Sequence, residues 1–153
     1  MCGIIGDVGS EEVVPVILDG LKRLEYRGYD SAGMSVIGPD GVQILRAEGK
    51  LRNLEQLAYH KPLHGSLGIG HTRWATHGAP TEANAHPQTD ASGELAVVHN
   101  GILENYSSLR RELLDEGVEL SSDTDTELIA QLLGREEGRL EDRVLRVLPR
   151  LRG

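Results

Sequence analysis

The chain has 153 residues, 39% of them hydrophobic, with four Tyr, one Trp and no Phe, so one domain with a core of Val, Ile, Leu and Ala is expected. A formal net charge of −8 excludes phosphate-backbone binding, which needs clustered Lys and Arg, and favours a small-molecule substrate over nucleic acid. One Cys excludes an internal disulfide framework, the start lacks the pattern of a secretory signal, and no apolar run approaches the roughly 18 residues of a membrane span; no membrane partner and a cytoplasmic location are expected.

Residues 3–8 read as a short buried strand. Ser10, followed by Glu11 and Glu12, looks like an N-cap with acids in the first turn, and Val13, Val14, Ile17, Leu18, Leu21 and Leu24 recur at helical spacing, predicting a helix over 11–25. Strands are expected over 32–37 and 42–47, joined as a hairpin through Gly38-Pro39-Asp40-Gly41. A helix over 51–58 and a strand over 67–72 follow, then a long polar loop over 73–93. Residues 94–99 read as a strong strand, 103–116 as a helix ending at Gly117, and a second helix should run from near Thr124 to Gly134. Residues 140–151 carry a last apolar stripe. The alternation predicts an α+β fold of layered helices and largely antiparallel sheet.

Cys2 is the sole cysteine, and a small residue at position two invites removal of Met1. That leaves a thiol of ordinary pKa about 8.5 on the same residue as an α-amine of about 7.7–8.0, a nucleophile with its own base. Four clusters could complete a site, each with a plainer structural account. In Arg27-Gly28-Tyr29-Asp30-Ser31-Ala32-Gly33, Gly28 suits a left-handed helix exit, or lets backbone approach a partner closely. In the segment from His71 to Gly78, Arg73 can clamp a carboxylate bidentately or stand as a solvated strand-end arginine; His71, His77 and His86 lack zinc-ligand spacing. Asn100-Gly101 is a hairpin signal, yet the following residues take helical spacing, and a sharp corner there would present the Asn100 amide and the Gly101 N–H as an oxyanion hole. Thr124 with Glu127 forms a capping box, Asp123 or Asp125 can also cap, and a carboxylate in this cluster could hold a ligand ammonium group.

The stretches 2–6, 24–33, 71–78, 98–102 and 124–127 together resemble, in order and over nearly the whole chain, the N-terminal glutaminase domain of the glutamine–fructose-6-phosphate aminotransferases (glucosamine-6-phosphate synthases), class II glutamine amidotransferases. Cys-Gly-Ile at 2–4 fits the whole class; Tyr-Arg-Gly-Tyr-Asp-Ser-Ala-Gly at 26–33 and His-Thr-Arg-Trp-Ala-Thr-His-Gly at 71–78 are the specific words. The resemblance implies an N-terminal-nucleophile αββα sandwich of antiparallel sheets, incomplete on its C-terminal side, with the sugar isomerase domains absent. It implies that Cys2 attacks the side-chain amide of L-glutamine and that Asn100 and the Gly101 N–H hold the oxyanion. It implies that Arg73, Trp74, Thr76, His77 and Asp125 bind substrate and that Arg27 supports the Cys2 end. No cofactor or metal is implied. Ammonia would go to fructose 6-phosphate in a longer, possibly homodimeric enzyme. A folded but inactive fragment, a glutamine-binding or interaction module, is the alternative.

Overall fold

The computed structural model describes residues 2–9, 11–74 and 78–153. Four antiparallel strands, β1 (Gly3–Val8), β2 (Ser31–Gly38), β3 (Gly41–Glu48) and β4 (Leu67–Arg73), lie in the order β1-β4-β2-β3. Helices α1 (Val14–Leu24) and α2 (Leu51–His60) cover one face. Ala32, Met34 and Val36 of β2 join Ile17, Leu21, Leu51 and Leu54 in a single buried cluster. β4 alternates more sharply. Gly68 and Gly70 lie beneath α1, where a Cβ on either would come within 2.6 Å of Ile17, so bare backbone lets the helix settle onto the sheet. Leu67, Ile69, His71 and Arg73 therefore fall on the opposite face, by the two-residue period of a strand.

The β2–β3 hairpin forms as expected, with Gly38 paired to Gly41 and Gly41 at φ +88°. α1 starts later than the spacing predicts. A helix running from residue 11 would need a hydrogen bond from the nitrogen of Pro15, which has no proton; the helix begins instead at Val14, with the proline in its first turn. Ser10, the expected cap, lies outside the described residues, and Val13 occupies the cap position without a side-chain bond. Glu12 instead accepts from the Gly65 N–H at 3.0 Å. A 3-10 turn, Glu25–Arg27, ends the helix, and Gly28 follows in extended conformation (φ −171°, ψ 136°), not left-handed. Its lack of a side chain serves close approach: a Cβ there would lie 2.6 Å from the backbone carbon of Arg73.

The second half packs α3 (Tyr106–Asp115), α4 (Asp125–Gly134) and α5 (Leu140–Val147) around another cluster containing Leu103, Leu109, Leu113, Leu128, Leu132 and Val147. Gly117, at φ +81°, follows α3 as its stop. The predicted strand over 94–99 shrinks to β6 (Ala96–Val97), paired with β5 (Gln88–Thr89). The Leu95 N–H is taken by the Asp90 carboxylate, which organises the turn between them and leaves only a long Asp90 N–H to Leu95 carbonyl bond (3.4 Å) beyond the two ladder pairs. The polar stretch expected as a loop is largely buried across Asn84, Ala85, His86 and Gln88. Asn84 ties it to Asp123, accepting from its N–H at 2.8 Å, and Gln88 donates to the Ala83 and Ala85 carbonyls. The result is an α+β arrangement with helices outside two antiparallel sheets.

Candidate active site

A cleft of about 370 Å³ opens where the free face of the four-stranded sheet meets the second half of the chain. Cys2, Arg27, His71, Arg73, Trp74, His86, His99, Asn100, Gly101, Ile102, Thr124 and Asp125 line it. Seven residues singled out in the sequence thus meet in one place: Cys2, Arg27, Arg73, Trp74, Asn100, Gly101 and Asp125. Thr76 and His77 lie outside the described residues.

The sheet register explains the Cys2 end. Gly3 pairs with Thr72, so Cys2 sits one step beyond the ladder, beside the end of β4. Its Sγ accepts from the Trp74 backbone N–H at 3.3 Å and donates to the Trp74 carbonyl at 3.7 Å, which fixes the sulfur beside the end of β4. The Arg27 Nε donates to the Cys2 carbonyl at 3.3 Å, fixing the backbone that carries the sulfur. Gly28 makes this possible, because only a bare Cα lets the chain after Arg27 lie against the Arg73–Trp74 peptide. Tyr29 then stacks edge-on with Trp74, ring centroids 5.3 Å apart, at the rim.

Arg73 is no solvated strand end. It is 4% exposed, and its guanidinium donates to the carbonyls of Ala79 (3.2 Å) and Gly78 (3.4 Å). Burial lowers its pKa, while the negative charges of Asp30, Cys2 and Asp125 oppose that.

Asp125 opens α4, where Thr124 caps the helix by accepting from the Glu127 N–H at 3.3 Å. Only half of the predicted capping box forms. The Glu127 carboxylate turns to the N–H and hydroxyl groups of Ser121 and Ser122 instead of the Thr124 N–H, which donates to Ser122 Oγ. The Asp125 carboxylate accepts from the Leu103 N–H at 2.9 Å and lies 3.8 Å from His99 Nδ1. Burial pushes that carboxyl up, but the bonds to His99 and Leu103 outweigh it and hold the pKa below its ordinary value.

No hairpin forms at Asn100-Gly101. The chain turns there into Ile102 and Leu103, anchored by the Asp125 bond just described, before α3 begins at Tyr106 instead of residue 103. A Cβ at Gly101 would meet the His99 ring 2.6 Å away, so a side chain there would have to displace that ring. Asn100 Oδ1 lies 2.8 Å from His71 Nε2.

Three histidines that sequence reasoning gave no role, His71, His86 and His99, line the same cleft. His71 carried a usable signal: it sits two residues before Arg73 on a strand and must share its face. His86 had none, being brought in by the buried run 84–88. Its Nε2 lies 2.6 Å from Thr126 Oγ1. Among the described residues no three side chains of His, Cys, Asp or Glu converge as metal ligands would, and no helix is long and apolar enough to cross a membrane.

The fold matches, with a TM-score of 0.85, a glutamine phosphoribosylpyrophosphate amidotransferase from B. subtilis solved with ADP and GMP; the pair are 28% identical over the whole of this chain and 33% of the other. A second solved structure, described as the allosteric regulatory enzyme of purine biosynthesis, matches with a TM-score of 0.86 over 34% of its chain. These neighbours carry the N-terminal-nucleophile amidotransferase fold, and this chain shares it. Curated relatives named glutamine–fructose-6-phosphate aminotransferase (isomerizing) are 57% identical over 87% of this chain in Gloeobacter violaceus and 51% identical over all of it in Aquifex aeolicus. The chain spans 22% and 26% of those relatives' lengths, about a quarter. A family model described as a glutamine amidotransferase domain matches residues 55–145. Because that match runs through β4, the Asn100–Gly101 corner and the start of α4, it takes in three of the segments that build the cleft, and the chain belongs to the glutamine amidotransferase domain family.

Proposed function

We propose that the chain hydrolyses L-glutamine to glutamate and ammonia through a thioester on Cys2. The observation that carries this reading is the convergence of Cys2, the Asn100–Gly101 corner, Arg73 and Asp125 on one cleft. A buried arginine and a buried carboxylate in the same cleft suit the α-carboxylate and α-ammonium of a free amino acid. The sulfur and two amide donors suit an acyl group at the far end of that amino acid's side chain.

With Met1 removed, the α-amine of Cys2 takes the thiol proton and the thiolate adds to the glutamine side-chain carbonyl. The resulting oxyanion falls to the Asn100 Nδ2 and Gly101 N–H donors. Removing one such donor elsewhere has cost about 2.7–4 kcal/mol of transition-state stabilisation. The α-ammonium returns its proton to the departing nitrogen, the C–N bond breaks, and ammonia leaves a γ-glutamyl thioester. Water, deprotonated by the same amine, adds to the thioester and the C–S bond breaks, releasing glutamate and restoring the thiol. Trp74, with its N–H on the sulfur and its ring at the rim, covers the reacting atoms. Thr76 and His77 belong to the proposed substrate contacts.

The names of the longer relatives support a destination for the ammonia. Fructose 6-phosphate would be the acceptor and glucosamine 6-phosphate the product, in a polypeptide that also carries the sugar-binding machinery.

Incubation with a glutamine-mimicking chloroketone or diazoketone, followed by intact mass and peptide mapping, tests the reading. One adduct on an N-terminal Cys2, blocked by excess glutamine, is expected, and Cys2→Ala should release no glutamate. An unmodified Cys2, or full turnover by Cys2→Ala, overturns it and leaves the glutamine-binding module as the better account.

A further inference from the structure

The Asn100 side chain can serve an oxyanion in only one of its two orientations. Turned one way, its NH2 group faces the cleft; rotated by 180°, the amide oxygen does, and that oxygen repels the charge it should stabilise. Nothing within Asn100 distinguishes the two, because the side-chain amide is nearly symmetric in shape. Its environment must do so.

His71 is that environment. Its Nε2 lies 2.8 Å from Asn100 Oδ1. An amide oxygen only accepts, so the ring nitrogen donates. The ring cannot turn away. His71 is 0% exposed, and its imidazole stacks on that of His86 with centroids 4.3 Å apart and planes 23° from parallel. His86 is pinned in turn by Thr126 Oγ1 at 2.6 Å, and Thr126 is fully buried in α4. His71 Nδ1 is buried without a hydrogen-bond partner, which suits the unprotonated nitrogen of a neutral ring. Burial, the largest influence on the ring, holds its pKa at about 4.

We propose that His71 is a positioning residue, whose Nε2–H holds the Asn100 amide oxygen away from the cleft so that Nδ2 is aimed at the developing oxyanion. The stack on His86 sets the plane in which that donor points. The proposal rests on the glutaminase reading for its kinetic consequences, but the hydrogen bond itself can be examined without catalysis.

A long-range 1H–15N spectrum of the intact chain at pH 7 should show His71 as the Nε2–H tautomer with a bare Nδ1. An Nδ1–H tautomer or an imidazolium there overturns the proposal whether or not glutamine is hydrolysed. In the kinetic arm, His71→Leu should lower kcat for glutamate release about ten- to a hundredfold with KM within about threefold, because Arg73 and Asp125 remain. Asn100→Ala should lose a hundredfold or more, and adding His71→Leu to it should cost nothing further. A full additive loss in the double variant means His71 acts elsewhere and overturns the proposal. His71→Gln, which can still donate to Asn100, should recover most of the rate. A folded His71→Gln as slow as Asn100→Ala counts against it, and this variant decides the matter if His71→Leu does not fold. A wild-type chain that neither releases glutamate nor takes the chloroketone rejects the glutaminase reading alone.

Discussion

At the scale of single residues, the site is built with groups that the fold holds against their ordinary protonation. Burial drives His71 to about 4 and His86 to about 2, against 6.5 for a free imidazole. For His86 the charges of His71 and Arg73 add to the effect of burial. Both pKa values are depressed, so the sign of the pH dependence is fixed. Above pH 6.5 the rings are neutral folded or unfolded, and no penalty arises. As pH falls through 6.5 the unfolded chain takes up protons that the native state refuses, and stability declines, down to about pH 4 for His71 and further for His86. Near pH 5 the two rings together should cost on the order of 2 kcal/mol per pH unit. Asp125, held below its ordinary value, adds a loss of the same sign only nearer the carboxylate range. The urea midpoint should therefore drop clearly between pH 7.5 and pH 5.0; an unchanged midpoint would show that the stacked rings accept protons without opening.

At the scale of elements, much was legible, and most of what was missed depends on residues far away in the sequence. The β2–β3 hairpin, the start of α4 at Thr124 and the strand carrying His71 and Arg73 are written in local pattern: turn residues, a cap and a run of alternation. The late start of α1 was missed although its cause is local, since Pro15 stands where a helix from residue 11 needs a donor. The 84–88 run was not legible, because its placement depends on Asp123 and Thr126, some forty residues away along the chain. Gly28 was open for the same reason: its extended φ answers to the Arg73 backbone, which no local window contains. Gly33 offers a test of how such long-range contacts restrict an element. A Cβ at Gly33 would lie 2.1 Å from the His86 carbonyl oxygen and 2.9 Å from that of Leu45, both of them backbone. Gly6, also in the sheet, offers ordinary contact at 3.7 Å to Ile69. Gly33→Ala should destabilise by about 2 kcal/mol or more in urea unfolding, while Gly6→Ala stays within about 0.5 kcal/mol. Equal costs would show that the 83–88 segment yields freely.

At the scale of the whole molecule, the cleft lies between two separate cores, which joins catalysis to cohesion. Cys2, Arg27 and Arg73 ride on the sheet packed by α1 and α2; Asn100, Gly101 and Asp125 ride on the α3–α5 cluster. Among the described residues no strand ladder joins the four-stranded sheet to β5 and β6. Contacts through the 84–88 run hold the halves together: His71 bonds Asn100 and stacks on His86, while His86 to Thr126 and Asn84 to Asp123 tie that run to the second core. Asn84 is 2% exposed, and its side chain both accepts from the Asp123 N–H and donates to the Asp123 carboxylate. The cores differ in their framing. β2 is laddered on both sides, by β3 and β4, with α1 and α2 above it, whereas β5 and β6 share two residue pairs. Native-state hydrogen exchange should then find the β2 and β4 amides opening only with global unfolding, and those of β5 and β6 through a lower, local route. Asn84→Ala should lower that local opening free energy by about 1–3 kcal/mol, the cost of stranding buried partners, while β2 exchange moves only with the change in global stability. A uniform fall in protection across both halves would mean that the cores unfold as one unit and that the cleft is no seam.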